Sequence, residues 1–468
     1  MSERSTTPAA HVSRGGSVAA SHAASSIPTV LRCGQAPESL SWKTLLLETR
    51  VAGVPVLDRH LLAFDAAGLD HVTLVVPGRE MHDLENVSRR RLPAGLTLTV
   101  CSDDAAPTSD AVEPLGSMVL EQRADTLVDP RLISQLVRLA NGGSSTVCCL
   151  DRSGGNTVEA KSPFRVGVAD RDEAKVVGTI EASGLVPIGL SLRATTPTAE
   201  TALAIGRYYW QRIASPGDAA IATRQVLQAT MKPTDGVHAQ INRRVSLQIS
   251  QALVDTRVTP NMVTIATLIV GIFAGWLLSH GAYQLMLAGS VTAWVASMLD
   301  GVDGELARAK FQSTALGHWL EMACDYGFYI SLVVGLGSGL ARVTGNSAWA
   351  VLGGASVAGI VASFAVVAGL KRKYTRDGTL GDFYLAFQHT FEALPNPVLR
   401  FVPHLAALAT RASLPYYTVI FIALQLSKPL MILLFIGAQV FWLTGLWASG
   451  MRLTMRSSPV TVIDQSRT

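Results

Sequence analysis

A chain of 468 residues with 49% hydrophobic and only 16% charged residues, at a mean hydropathy of +0.31, is too long for one ordinary domain and too apolar for a wholly soluble protein. The same figures exclude a disordered or collagen-like chain. A net charge of +4, from 39 basic against 35 acidic residues, is too small to advertise nucleic acid as a partner and leaves a membrane surface as the expected one. The five cysteines, an odd number without CxxC spacing, exclude a disulfide framework or a structural zinc site. The adjacent Cys148 and Cys149 read as reduced core residues.

Residues 1–40 are rich in Ala, Ser, Thr and Gly, lack the apolar run of a signal peptide, and are predicted to be a disordered tail. Over 41–230, short β-branched or apolar runs recur at Thr44–Leu47, His71–Val76, Leu96–Val100, Met118–Leu120, Thr146–Leu150, Arg165–Ala169 and Val186–Leu192. Helix-like stretches at Val54–Ala67 and Asp129–Ala140 lie between them. That alternation predicts an α/β, Rossmann-like domain with a largely parallel sheet. Within 231–258, Asp235–Arg257 reads as an amphipathic juxtamembrane helix, lying along the headgroups or packed on the soluble domain.

From 259 to 455 the character changes. Residues 261–299 contain no Asp, Glu, Lys or Arg, enough at about 20 residues per crossing for two spans joined by a turn near Ser279–Tyr283. Further uncharged stretches at Tyr326–Ala341, Val343–Leu370, Ala412–Ser427 and Pro429–Met451 bring the expectation to six transmembrane helices, followed by a tail over 456–468. Arg243, Arg244, Arg308, Lys310, Lys371, Arg372, Lys373, Arg376, Arg452 and Arg456 all fall on one side if the spans alternate. That bias predicts a multi-pass protein of the plasma (inner) membrane with its α/β domain, and any site at that face, in the cytoplasm.

Five acidic residues, Asp300, Asp303, Glu305, Glu321 and Asp325, crowd the cytosolic ends of the second and third spans. A carboxylate near hydrocarbon is costly to keep ionised unless something positive pairs with it. Asp300, Asp303 and Ala307 share one helical face, Glu305 points elsewhere, and Gly317, Glu321 and Asp325 follow at steps of four. Four carboxylates are thereby expected to converge on hard divalent cations, Mg²⁺ or Mn²⁺, since oxygen-only donors do not suit zinc. Gly304 permits close approach of a ligand, and the fork of Arg308 matches phosphate oxygens. Thr259-Pro260-Asn261 opens the first span with capping residues, and Asn261 and Thr264 are further candidates beside a nucleotide. Lys371, Arg372 and Arg411 are candidates for an acceptor phosphate or lipid headgroup, although topology signalling accounts for the basic run.

The segment from Asp300 to Asp325 resembles the DxxDGxxAR…GxxxDxxxD signature of the CDP-alcohol phosphatidyltransferases, with Glu321 in place of the third aspartate. The resemblance implies transfer of a phospho-alcohol group from a CDP-alcohol donor to a hydroxyl acceptor with release of CMP, in phospholipid or inositol-phosphate biosynthesis. By that resemblance Asp300, Asp303, Glu321 and Asp325 hold two metal ions. Gly304, Ala307, Arg308, Gly317 and Asn261 lie at the nucleotide, Asp325 is also the general base, and the protein is a homodimer in contact with membrane lipid. The residues alone leave open a cation-binding transporter or a catalytically inactive membrane scaffold.

The α/β domain resembles the sugar-nucleotide nucleotidyltransferases through Val51–Leu57 and Ala67-Gly68-Leu69-Asp70 before His71–Val76. Fusions of an inositol-phosphate cytidylyltransferase to a di-inositol-phosphate synthase combine the same two modules. With Thr44–Leu47 as first strand, no GxGxR phosphate loop follows it, and Asp125 and Lys161 are weak substitutes for a metal ligand and a phosphate ligand. The expectation is a degenerate, non-catalytic nucleotidyltransferase-like domain.

Overall fold

The computed structural model describes residues 27–450 except 35–39, 85–86, 88–91, 94, 104–117, 142–146, 153–163, 167–184, 195–199, 205–207, 232–236 and 375–412. The N-terminal region is built on an eight-stranded mixed sheet. Its centre is β1 (Thr29–Arg32), which runs parallel to β4 (His71–Val76) on one side and β6 (Met118–Arg123) on the other. Strand β5 (Thr97–Ser102) extends this parallel half. The other half is antiparallel where β10 (Leu185–Ala194) joins β6 and β8 (Val147–Arg152). Strand β11 (Glu200–Ala204) then pairs parallel to β8 and antiparallel to β9 (Phe164–Val166). The sheet is thus parallel over half its width, where a largely parallel one was expected.

Two assignments change. The expected disordered tail contains the central strand, with Thr29, Val30 and Leu31 buried between β4 and β6. Four residues are too few for a period to show, and only pairing on both edges makes them a strand. The expected first strand Thr44–Leu47 is instead a single π-helical turn, Thr44–Glu48, closed by Thr49 N–H donating to Thr44 O. It buries both Leu45 and Leu46, which a strand would have sent to opposite faces. The chain after the true first strand is therefore 33–43, so the missing loop after Leu47 no longer argues for lost phosphate binding.

A hairpin of β2 (Arg50–Val51) and β3 (Val54–Pro55) leads into α1 (Val56–Ala66), and the expected second helix is α3 (Pro130–Asn141), after the short α2 (Met81–Leu84). A small ribbon pairs β7 (Thr126–Val128) with β12 (Trp210–Arg212). Helix α4 (Pro216–Ala229) starts on a capping box in which Ser215 and Asp218 satisfy each other's backbone N–H, with Pro216 in the first turn.

Helix α5 (Val237–Leu253) covers most of the stretch expected to be an amphipathic helix. It packs on the second long helix, burying its polar stripe Asn242, Ser246 and Ser250 there, while Ile241 and Val245 remain exposed. Helices α6 (Pro260–Ser279), α7 (Tyr283–Ala309), α8 (Ala315–Thr344) and α9 (Ala348–Tyr374) include four stretches long and apolar enough to cross a membrane. Helix α6 packs along both α7 and α8. A side chain on Gly275 would run into the Ser331 backbone, and one on Gly335 into Gly275, so the backbones of α6 and α8 meet directly. The fifth expected span appears as α10 (Leu414–Ala423), whose 10 residues rise only about 15 Å against a hydrocarbon core of about 30 Å. Helix α11 (Ser427–Gly450) follows and packs on α9.

Candidate phosphotransfer site

The site is assembled at one end of α6, α7 and α8. Thr259 caps α6, its Oγ1 accepting from Met262 N–H at 3.4 Å, and Pro260 fills the first turn, where a missing N–H is harmless. One turn on, Thr264 Oγ1 donates to Asp303 Oδ2 at 2.5 Å. Asp303 Oδ1 accepts from Gly304 N–H at 2.6 Å, so a carboxylate only 4% exposed is fixed through both oxygens. Asp300 and Glu321 are its charged neighbours, one from its own helix and one from α8. Asp303 thus has an acidic neighbour on each of α7 and α8.

Gly304 and Gly317 are small for visible reasons. A Cβ on Gly304 would come within 3.1 Å of Arg308 Nη1, so the bare backbone leaves room for the guanidinium to lie against it. Thr314 caps α8 by accepting from Gly317 N–H at 3.0 Å. A Cβ on Gly317 would meet Asn261 Oδ1 at 3.3 Å, which places Asn261 beside Gly317 as neighbours from α6 and α8. Ala307 and Arg308 occupy the last turn of α7, and Glu321 and Asp325 follow Gly317 on α8, all partly buried.

The donor chemistry around Asp303, carboxylate oxygens from two helices, is of the kind a hard divalent ion takes. Among the described residues, however, no three His, Cys, Asp or Glu side chains are close enough to hold a metal ion as they stand. Helices α7 and α8 each pack on α6 and barely on each other. Lys371 and Arg372 lie in the last turn of α9, and Arg411 falls outside the described residues.

Glu305 does point elsewhere, and its partners were not anticipated. It is fully buried against α5, accepting from Arg243 Nη1 at 2.9 Å, Ser246 Oγ at 2.6 Å and Ser250 Oγ at 2.5 Å. Arg243 also donates to Gly301 O at 3.0 Å. The signal was available: Asn242, Ser246 and Ser250 recur every four residues, a stripe of small polar residues along one face of the helix.

In the N-terminal region Asp125 is fully buried, but two guanidiniums occupy it. Arg123 donates to both carboxylate oxygens at 3.0 and 2.8 Å, and Arg212, delivered by the β7–β12 ribbon, donates at 2.8 Å. Burial raises its pKa, yet the two arginines together hold it below the usual carboxylate value. Nearby, His60 accepts from Gln122 Nε2 at 3.1 Å and faces Ala124 O at 3.1 Å, the pattern of a neutral ring carrying its proton on Nε2. Lys161 lies outside the described residues.

Residues 257–441 match the CDP-alcohol phosphatidyltransferase family. The match spans α6 to α10 and every residue of the motif. A relative from Aquifex aeolicus, "Bifunctional IPC transferase and DIPP synthase", is 35% identical over 138 residues, which covers 29% of this chain and 30% of that protein. The chain thus aligns with less than a third of that relative's length. A protein of the same description from Rubrobacter xylanophilus is 26% identical over 336 residues, 64% of this chain and 75% of that protein. An alignment of that extent does not fit within 257–468, so it reaches into the N-terminal region. Among solved structures, the inositol-1-phosphate CTP transferase of T. maritima aligns at TM-score 0.28 and 12% identity, covering 41% of this chain and 91% of that one.

Proposed function

We propose that this chain is a multi-pass membrane transferase that moves a phospho-alcohol group from a CDP-alcohol to a hydroxyl acceptor and releases CMP. The observation that carries the reading is Asp303. It is a buried carboxylate held by Thr264 and the Gly304 N–H, with Asp300 and Glu321 as its charged neighbours, inside the matched family segment.

In this reading Asp300, Asp303, Glu321 and Asp325 would hold two Mg²⁺ or Mn²⁺ ions. The ions would neutralise the donor's diphosphate and stabilise charge on the departing oxygen. The chain's own residues supply the rest. Arg308, seated over Gly304, offers a fork to a phosphate, and Asn261 and Gly317 form the small, polar wall beside which a nucleotide fits. Asp325 takes the proton of the acceptor hydroxyl as that oxygen bonds to the donor phosphorus. The phosphorus–oxygen bond to CMP breaks, and CMP leaves with the electron pair. Glu321 keeps the charge of an aspartate while reaching one methylene farther. A CDP-polyol and CDP-diacylglycerol both present the group this site reads, and the relatives' description, a DIPP synthase, favours the polyol as first donor to test.

The N-terminal region is proposed to be non-catalytic, because the acid nearest to a metal-ligand position, Asp125, is saturated by Arg123 and Arg212. Purified full-length protein given CDP-inositol or CDP-diacylglycerol, Mg²⁺ and an inositol-phosphate or glycerol-phosphate acceptor should release CMP. Asp303→Asn should abolish that release. Equal release by Asp303→Asn overturns the site, and pyrophosphate release from CTP and inositol phosphate overturns the non-catalytic assignment.

A further inference from the structure

The end of α7, where the signature motif closes at Arg308, is finished by a residue from the other region of the protein. The last carbonyls of a helix lack intrahelical partners. Here the Gln312 N–H donates to Ala307 O at 2.8 Å and the Phe311 N–H to Arg308 O at 3.4 Å, the paired closure of a Schellman motif. That motif puts its turning residue in the left-handed region, where glycine is usual, and this chain has Phe311 at φ 54°. The carbonyl left over, Ala309 O, accepts from Arg59 Nη2 at 2.6 Å. Arg59, on α1 of the N-terminal region, is 3% exposed, grips Val51 O with Nε and Nη2 at 3.1 and 2.9 Å, and stands over the Phe311 ring at 5.4 Å. The strained aromatic at the turn is thus the surface on which the guanidinium rests.

Neighbouring contacts lock the same junction. The β2–β3 hairpin turns through Ala52 and Gly53, both at positive φ, and the Gly53 N–H donates to Asp255 Oδ1 at 3.0 Å. A Cβ on Gly53 would collide with Val254 O, so the hairpin tip sits flush on the connection between α5 and α6. Lys310 Nζ reaches the same connection, donating to Thr256 O and Val258 O at 3.1 Å each.

We propose that Arg59 is a positioning residue for the phosphotransfer site: from the N-terminal region it fixes the C-terminal end of α7 and with it the placement of Arg308 toward the donor's phosphates. The proposal rests on the transferase reading above. It gives the non-catalytic region a task, holding the last turn of the motif helix in register with the start of α6.

The test uses the full-length protein in detergent or nanodiscs, with Arg59→Ala, Arg59→Lys and Phe311→Gly. Lysine keeps the charge but loses the fork, and glycine keeps the turn while removing the ring. Arg59→Ala should raise the donor KM about tenfold with kcat within about threefold, and Arg59→Lys should recover part of that. Phe311→Gly, which relieves the backbone and so folds, should raise KM about threefold. Hydrogen exchange should show the Phe311 and Gln312 amides losing protection in Arg59→Ala while the β4 amides keep theirs. If the wild type turns over and all three variants keep its KM within a factor of about two, the positioning role is refuted. If the wild type turns over no CDP-alcohol, the failure belongs to the transferase reading. Exchange then judges the clamp alone, and unchanged protection at Phe311 and Gln312 in both Arg59 variants overturns it.

Discussion

Removing the Glu305 carboxylate should be among the most destabilising single changes in the membrane region. Glu305→Ala deletes three acceptor contacts at once, from Arg243 at 2.9 Å, Ser246 at 2.6 Å and Ser250 at 2.5 Å. It also leaves the Arg243 side chain, 14% exposed, without its carboxylate. Breaking a buried ion pair from one side costs about 3–5 kcal/mol, because the surviving charge stays buried. Arg243 keeps its bond to Gly301 O, which places the expected loss near the lower figure, about 3 kcal/mol. Glu305→Gln retains acceptor and shape and should lose about 1.5–3 kcal/mol, the worth of charge-assisted hydrogen bonds. Denaturant unfolding of the detergent-solubilised protein, followed by the fluorescence of Trp294 on α7 and its neighbours, measures both. A double-mutant cycle with Arg243→Gln separates the pair from the serines. A loss under about 1 kcal/mol for Glu305→Ala would refute the view that this contact seats α5 on α7.

Three further outcomes follow from the geometry. His60 is pushed down to about 4 from 6.5, first by burial and then by the Arg59 charge, against the pull of Ala124 O and Asp125. A depressed histidine contributes its stability above pH 6.5 and loses it as pH falls toward 4, so the N-terminal region should weaken by about 3 kcal/mol over that window. His60→Gln should flatten the pH profile, as monitored by circular dichroism of the full-length protein. Asp325→Asn should lower kcat for CMP release by about 10²–10⁴, and an unchanged kcat removes Asp325 as the base. Gly335→Leu should drive α6 and α8 apart at Gly275 and destabilise the bundle by about 3 kcal/mol, visible as a lowered Tm; an unshifted Tm denies the close crossing.

The motif and the membrane region were legible because their signals are local. A charge-free run such as 261–299 reads as helix in hydrocarbon whatever surrounds it, and carboxylates at helical spacing share a face by geometry alone. The same locality exposed Thr264 and Asn261 as site candidates, and the structure sets one against Asp303 and the other against Gly317. Locality failed at Thr29–Arg32, four residues that become the central strand only because β4 and β6 close on them, and at Thr44–Glu48, where two adjacent leucines both had to reach the core. It failed also for the tenth helix, a 10-residue element where an uncharged run suggested a full crossing.

What the amino-acid order determined by itself was the long apolar helices, the acidic motif and the family signature that motif resembles, since each depends on residues within a turn or two of one another. Only the tertiary structure decided which charges meet. It assigned Glu305 to Arg243 and two serines, Asp125 to two arginines, and Ala309 O to Arg59 some 250 positions away in the chain. The reason is physical: a buried charge or an orphan carbonyl must find a partner, and which partner reaches it is set by how separate elements pack.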